Sequence, residues 1–151
     1  MIEYIKKDVT TTELGIVAHG VNCQRTMGSG VALAIRKKWP TAYSAYMDNP
    51  GGKAMLGTCQ LVSIYDDESL WVANCYTQVF YGKNGKFANA DAVGRSMSTC
   101  LRYADVFGLP VYMPRIGCGL GGLDWDKEVL PQLEAVSEEF NRVLIYVCDL
   151  P

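Results

Sequence analysis

Apolar positions along this chain follow two different rhythms. Residues 15–21 and 70–77 are almost continuously apolar, as strands covered on both faces are. Shorter runs at 2–6, 58–64, 109–113 and 142–148 read as further strands. Between them the period lengthens to that of a helix. From Gly30 the stripe is Val31, Ala32, Ala34 and Ile35. It turns basic at Arg36, Lys37 and Lys38, which suits a helix C-terminus, and Pro40 stops it. Residues 41–47 predict a short second helix capped by Thr41. A long helix over 89–107 carries Val93, Met97, Leu101, Ala104 and Phe107 on one face and ends at Gly108. The last helix has Val129, Leu133, Val136 and Phe140 on its face, with Asp124 and Asp126 as possible caps. Pro131 belongs in or just after its first turn, with a kink there if the helix starts earlier. Asp66, Asp67 and Glu68 make a hairpin-like turn. This order predicts an α/β fold, a three-layer α/β/α sandwich around a mixed, mostly parallel sheet. The 151 residues form one domain, with no repeat, linker or low-complexity segment.

Two glycine-rich turns interrupt the pattern, each leading from a strand toward a helix. One runs from Val21 and Asn22 through Met27, Gly28, Ser29, Gly30 and Val31. The other is Arg115, Ile116, Gly117, Cys118, Gly119, Leu120, Gly121 and Gly122. Unpaired N–H groups at a helix start favour an anion, above all a phosphate. Two such turns suggest one ligand held from both sides, such as a diphosphate. Neither is a P-loop, since no Gly-Lys-Ser/Thr follows, and the first lacks the third glycine of the dinucleotide fingerprint. The structural alternative is that these glycines only make tight turns.

Composition narrows the partner. The net charge of −2 argues against an extended nucleic-acid surface, so a phosphate site here must rely on backbone N–H groups. No apolar run approaches a membrane span and the chain opens on a strand-like segment, which points to a cytoplasmic protein. The six cysteines show no CxxC and no metal-ligand spacing, so reduced thiols and no metal are expected. The single histidine, His19, ends a strand that feeds the first glycine turn.

The stretches 5–9, 19–23 (His-Gly-Val-Asn-Cys), 27–32 (Met-Gly-Ser-Gly-Val-Ala) and 113–125 (Met-Pro-Arg-Ile-Gly-Cys-Gly-Leu-Gly-Gly-Leu-Asp-Trp) resemble a macro domain, over essentially the whole chain and in the right order. The resemblance implies that the ligand is ADP-ribose or its 1″-phosphate, bound by a monomer with no cofactor. Asp8 would then bond the adenine amino group, with the Val9 backbone beside it. Lys7 stands where the family often has glycine. Asn22 would contact the distal ribose. Val21, Met27, Gly28, Ser29, Gly30 and Val31 would wrap the ribose and diphosphate from one side. Ile116, Gly117, Cys118, Gly119, Leu120 and Gly121 would do so from the other. Thr77 and Gln78, at the end of the central strand, would also contact the ligand. Tyr81 or Phe80 would stack on the ribose, with core packing an equal alternative. Arg115 would bind phosphate or prop its loop.

Within that resemblance three activities compete. Branches that remove ADP-ribose from protein glutamate or from DNA use a lysine just after the central strand. Here that stretch reads Asn74-Cys75-Tyr76-Thr77-Gln78, while Lys83 and Lys86 stand at the wrong spacing. The glutamate-directed branch adds an aspartate where this chain has Gly121. The His19 to Cys23 and Asn74 to Gln78 stretches look more like the phosphatases of ADP-ribose 1″-phosphate. That places His19 as a candidate acid or water-orienting group, with Asn22 beside it and Asp91 as its partner carboxylate. The alternatives are a de-ADP-ribosylating hydrolase and a non-catalytic ADP-ribose-binding module. For His19 the structural reading is a satisfied core histidine. For Asp91 it is a first-turn helix aspartate.

Overall fold

A computed structural model of the chain describes residues 1–81 and 85–151. Six strands form one sheet: β1 (Ile2–Lys6), β2 (Gly15–Asn22), β3 (Cys59–Ser63), β4 (Leu70–Gln78), β5 (Val111–Met113) and β6 (Ile145–Asp149). Their order is β1-β6-β5-β2-β4-β3. Every neighbouring pair is parallel except β3 with β4, which the turn after Ser63 folds into an antiparallel hairpin. The four α-helices among the described residues are α1 (Gly30–Lys38), α2 (Pro40–Asp48), α3 (Ala90–Phe107) and α4 (Leu130–Glu139).

Alternation along the strands splits the core into two layers. Ile16 and Ala18 of β2 face α3 and α4, with Met97, Leu101 and Leu133 packed over them. Val17, one residue away, faces Ile35 and Trp39 of the α1–α2 pair and Ala42 of α2. Parallel strands covered on both faces need apolar residues at every position, which is why β2 and β4 show no polar alternation. A third, smaller cluster of Val21, Cys23, Met27, Tyr46 and Tyr76 lies beneath the first glycine turn.

Helix starts and stops follow local chemistry, with two departures from expectation. Asn89 caps α3 by accepting from the Ala92 N–H, and Gly108 ends it in the left-handed region at φ 67°. Between α1 and α2 the break falls at buried Trp39, and Pro40 takes the first position of α2, so Thr41 is inside the helix and is not its cap. Proline is at home there because a first-turn N–H has no intrahelical partner to lose. Before α4, Asp124 accepts from the Lys127 N–H, and Trp125–Val129 form one π-helical turn. Pro131 then falls in the first turn of α4. The widened turn accommodates a residue that has no N–H to return to the carbonyl four positions back.

Candidate functional site

Five of the six strands run parallel, so their C-terminal ends share one edge of the sheet. That edge carries the loops that the sequence assigned to the ligand, while the Asp66 turn lies at the opposite edge, before β4. Asp8 and Val9 follow β1, the second glycine loop follows β5, the first follows β2, and Thr77 and Gln78 close β4. Because β5 and β2 are neighbours, the two glycine loops emerge side by side. From β1 to β4 lie four inter-strand spacings of about 4.8 Å, on the order of 19 Å in all. An elongated ligand laid across the strand ends would pass each loop in turn.

The first loop ends at α1, whose N-cap residue Ser29 makes no side-chain capping bond. The starts of α3 and of the π turn on the same edge are capped by Asn89 and Asp124. Of these three helical starts, α1 is the one whose first N–H groups are left for an anion. Below it the loop is locked. The Asn22 side chain accepts from Gln24 N–H at 2.9 Å, and its amide donates to the Thr26 carbonyl at 2.9 Å. The Tyr46 hydroxyl lies 2.7 Å from the Asn22 carbonyl and 2.9 Å from its Oδ1, and accepts from Thr26 N–H at 3.0 Å. Asn22 is thus a buried brace of the loop it was expected to open toward the ribose. Nothing in the helical pattern of α2 marked Tyr46 for this task. Tyr46→Phe should lower the unfolding free energy by about 1–2 kcal/mol. It should also raise amide exchange at Thr26, read by denaturant titration and hydrogen exchange.

The second loop is packed tightly at its base and open at its tip. Gly117 has φ +82°, and a Cβ there would meet Leu123 Cδ1 at 2.9 Å. A Cβ on Gly121 would meet the Gly117 carbonyl at 2.6 Å and Ala88 Cβ at 2.8 Å. The Gly121 carbonyl accepts from Phe87 N–H at 2.8 Å and Ala88 N–H at 2.9 Å, which seats residues 87–88 against this loop. Gly119 and Leu120 are exposed. Among the described residues, neither Gly119 nor Leu120 donates its N–H to a protein acceptor. Ile116 is buried beneath the loop. Burial pushes the Cys118 thiol up to about 11, and desolvation also raises that of Cys23, so both are neutral thiols and poor nucleophiles near pH 7.

The remaining expected residues fall into three groups. Asp8 caps the turn Val9–Thr11, its carboxylate accepting from the Thr10 hydroxyl at 2.7 Å and the Thr10 N–H at 2.9 Å. Those bonds hold its pKa below the usual value, so it is an anion and a ready acceptor. Val9, Val21, Met27 and Thr77 are buried, so they shape the floor of the edge. Gln78 and Tyr81 lie on the far side, where Tyr81 is exposed and its N–H donates to Gln24 Oε1 at 3.0 Å. Lys86 is paired with Glu128 at 2.8 Å, and Lys83 lies outside the described residues.

His19, Asp91 and Arg115 are placed differently from expectation. His19 is 1% exposed and points toward the α1–α2 layer, not to the strand ends. Its Nε2 is 2.6 Å from Asn74 Oδ1. The Asn74 amide nitrogen donates to the Ala42 carbonyl and to Gln60 Oε1, which fixes the amide with its oxygen toward the imidazole. His19 therefore carries its proton on Nε2, and Nδ1 has no partner among the described residues. Burial lowers its pKa to about 4, so it is neutral at pH 7. Asp91 is not its partner: it is exposed at the first turn of α3 and pairs with Arg95 at 2.8 Å. Arg115 stays on the ligand edge but is engaged by Asp149, the last residue of β6, through two bonds of 2.9 and 3.1 Å. Sequence reasoning missed Asp149, because nothing local links position 149 to the second glycine loop.

The sequence pattern of the macro domain family matches residues 18–129, and the chain belongs to that family. It is similar to an ADP-ribose 1″-phosphate phosphatase of the yeast Debaryomyces hansenii, at 29% identity over 99% of this chain and 100% of that protein. It is also similar to a DNA ADP-ribosyl glycohydrolase of Mycobacterium tuberculosis, at 26% identity over 90% of this chain, which spans only 41% of that protein. A solved structure of a protein of unknown function from Bacteroides thetaiotaomicron superimposes with a TM-score of 0.81, at 28% identity, covering 99% of this chain and 98% of the other.

Proposed function

We propose that this protein binds ADP-ribose across the strand ends and hydrolyses ADP-ribose 1″-phosphate to ADP-ribose and inorganic phosphate. The observation that carries this reading is the pair of glycine loops side by side on β2 and β5, with the uncapped start of α1 between the Asp8 corner and the end of β4. Full-length similarity to the yeast phosphatase supports the same substrate. Asp8 takes the adenine end, and the backbone N–H groups of residues 28–32 and of Gly117, Gly119, Leu120 and Gly121 hold the diphosphate, while that of Cys118 is spent on the Arg115 carbonyl at 3.1 Å.

Phosphomonoester hydrolysis needs little covalent help from a protein. Charge spread over the equatorial oxygens must meet fixed donors, and a water must line up opposite the departing oxygen. N–H groups fixed by the Asn22–Tyr46 lock and by the close-packed base of the second loop meet the first need. In this reading His19 serves as a neutral core brace, because an imidazole sealed at 1% exposure has no route for protons to a bound substrate.

The second reading, removal of ADP-ribose from DNA, has support from the mycobacterial relative. Against it stand the end of β4, which carries no lysine, and Lys86, which is tied to Glu128. The test is release of inorganic phosphate from ADP-ribose 1″-phosphate, with ADP-ribose binding measured by calorimetry on the same preparation. Multiple turnovers with micromolar binding are expected. Binding without phosphate release would replace the phosphatase reading with the glycohydrolase or a binding module.

A further inference from the structure

Arg115 is held more elaborately than a loop arginine needs. Its Nε and Nη2 form a two-pronged fork on the Asp149 carboxylate at 2.9 and 3.1 Å. Its guanidinium lies 5.2 Å from the centre of the Tyr4 ring and 5.3 Å from that of Trp125. Those two rings meet edge to face, and Trp125 Nε1 donates to the Tyr4 hydroxyl at 3.0 Å. The fork thus joins the first residues of the second glycine loop to β1, to β6 and to the turn that follows the loop. Asp149 works in two directions, because its carbonyl accepts from Lys7 N–H at 2.8 Å, immediately before Asp8. One residue therefore anchors the Asp8 corner through its backbone and the glycine loop through its side chain.

We propose that Arg115 is a positioning residue that acts through Asp149 to fix the second glycine loop relative to the Asp8 corner. This role rests on the ADP-ribose reading, since it sets the distance between the sites for the two ends of one ligand. A nucleoside-diphosphate ligand binds both sites at once only if that distance is right, and a planar fork fixes it as a flexible ammonium cannot. Long-range attraction between Arg115 and the ligand phosphates is not the source of affinity, because the Asp149 carboxylate neutralises the guanidinium.

The experiment compares wild type with Arg115→Lys, Arg115→Met and Asp149→Asn. It measures ADP-ribose binding by calorimetry, KM and kcat on ADP-ribose 1″-phosphate, and melting temperature. Positioning predicts that Arg115→Lys loses nearly as much affinity as Arg115→Met, about tenfold or more. It also predicts that Asp149→Asn weakens binding, although it frees a positive charge near the phosphates. KM should rise with kcat held within a few-fold, because loop contacts serve bound substrate and transition state alike. If Arg115→Lys binds like wild type, or Asp149→Asn binds as tightly or more tightly, charge and not position is what matters, and the proposal fails. Poor folding alone would lower binding stoichiometry and kcat while leaving Kd and KM unchanged, and that pattern also overturns it. Wild-type protein that does not bind ADP-ribose would instead remove the functional reading itself, and the positioning role with it.

Discussion

Gly121→Ala is expected to reduce ADP-ribose affinity by at least about tenfold, equivalent to roughly 1.4 kcal/mol. It should also destabilise the fold by about 1–3 kcal/mol. The added methyl would sit 2.6 Å from the Gly117 carbonyl and 2.8 Å from Ala88 Cβ. The carbonyl is backbone and cannot rotate away, so the loop must open. Opening it moves the N–H groups of residues 117–121 and breaks the bonds from Phe87 and Ala88 to the Gly121 carbonyl. Gly119→Ala is the matched control, since no atom lies within 4 Å of the position its methyl would take. It should retain wild-type stability, so a shared loss in both variants would refute the packing argument. Calorimetric titration and thermal unfolding read the comparison. The same crowding bears on branch choice: an aspartate, which glutamate-directed macro domains are expected to carry at the position aligned here with Gly121, has no room for its Cβ.

Acidification should unfold this protein earlier than its carboxylates alone would require. The unfolded His19 pKa is about 6.5, and burial holds the folded value at about 4. Between those values the unfolded chain binds a proton that the native state refuses. Stability is therefore highest above pH 6.5 and falls as pH drops toward 4, by at most about 1.4 kcal/mol per pH unit and roughly 2–3 kcal/mol by pH 4.5. The carboxylates with lowered pKa, Asp8, Asp67, Glu128 and Asp149, begin to lose their contribution only as pH falls to their ordinary values, so the upper part of this window belongs to the histidine. His19→Gln keeps a donor for Asn74 Oδ1 and removes the titration. Denaturant unfolding at pH 7.5 and 4.5 should show a smaller acid loss in the variant than in wild type. Phosphate release per folded molecule at pH 7.5 should be similar in the two proteins. A collapse of turnover with ADP-ribose binding intact would make His19 a participant in the reaction and overturn its assignment as a brace.

Much of the architecture was legible because it rests on local physics. Unbroken apolar runs identified β2 and β4 as buried strands, and the stripe from Val93 to Phe107 fixed α3. Asn89 and Gly108 marked its ends through capping chemistry that involves only near neighbours. The two glycine turns were visible as strand-to-helix transitions, a reading that needs no tertiary contact. The motif order was enough to identify the macro domain resemblance, which the family match bears out.

What the sequence could not determine is which distant groups meet. The order β5-β2-β4, which puts the two glycine loops side by side, is a matter of long-range pairing and not of any local preference. His19 looked available because it stands near a strand end. A one-residue alternation turns it toward α2, where Asn74 and Gln60 close it off. Arg115 could be read as a phosphate ligand or a loop prop until β6 brought Asp149 beside it, and Asn22 as a contact of the distal ribose until α2 brought the Tyr46 hydroxyl onto it. Periodicity and turn chemistry act over a few residues, so the sequence by itself determined the elements, the backbone loops and the family. The environment of each polar side chain depends on segments far away in the chain, so only the tertiary structure decided which of them are tied up as braces and which stay open at the strand ends.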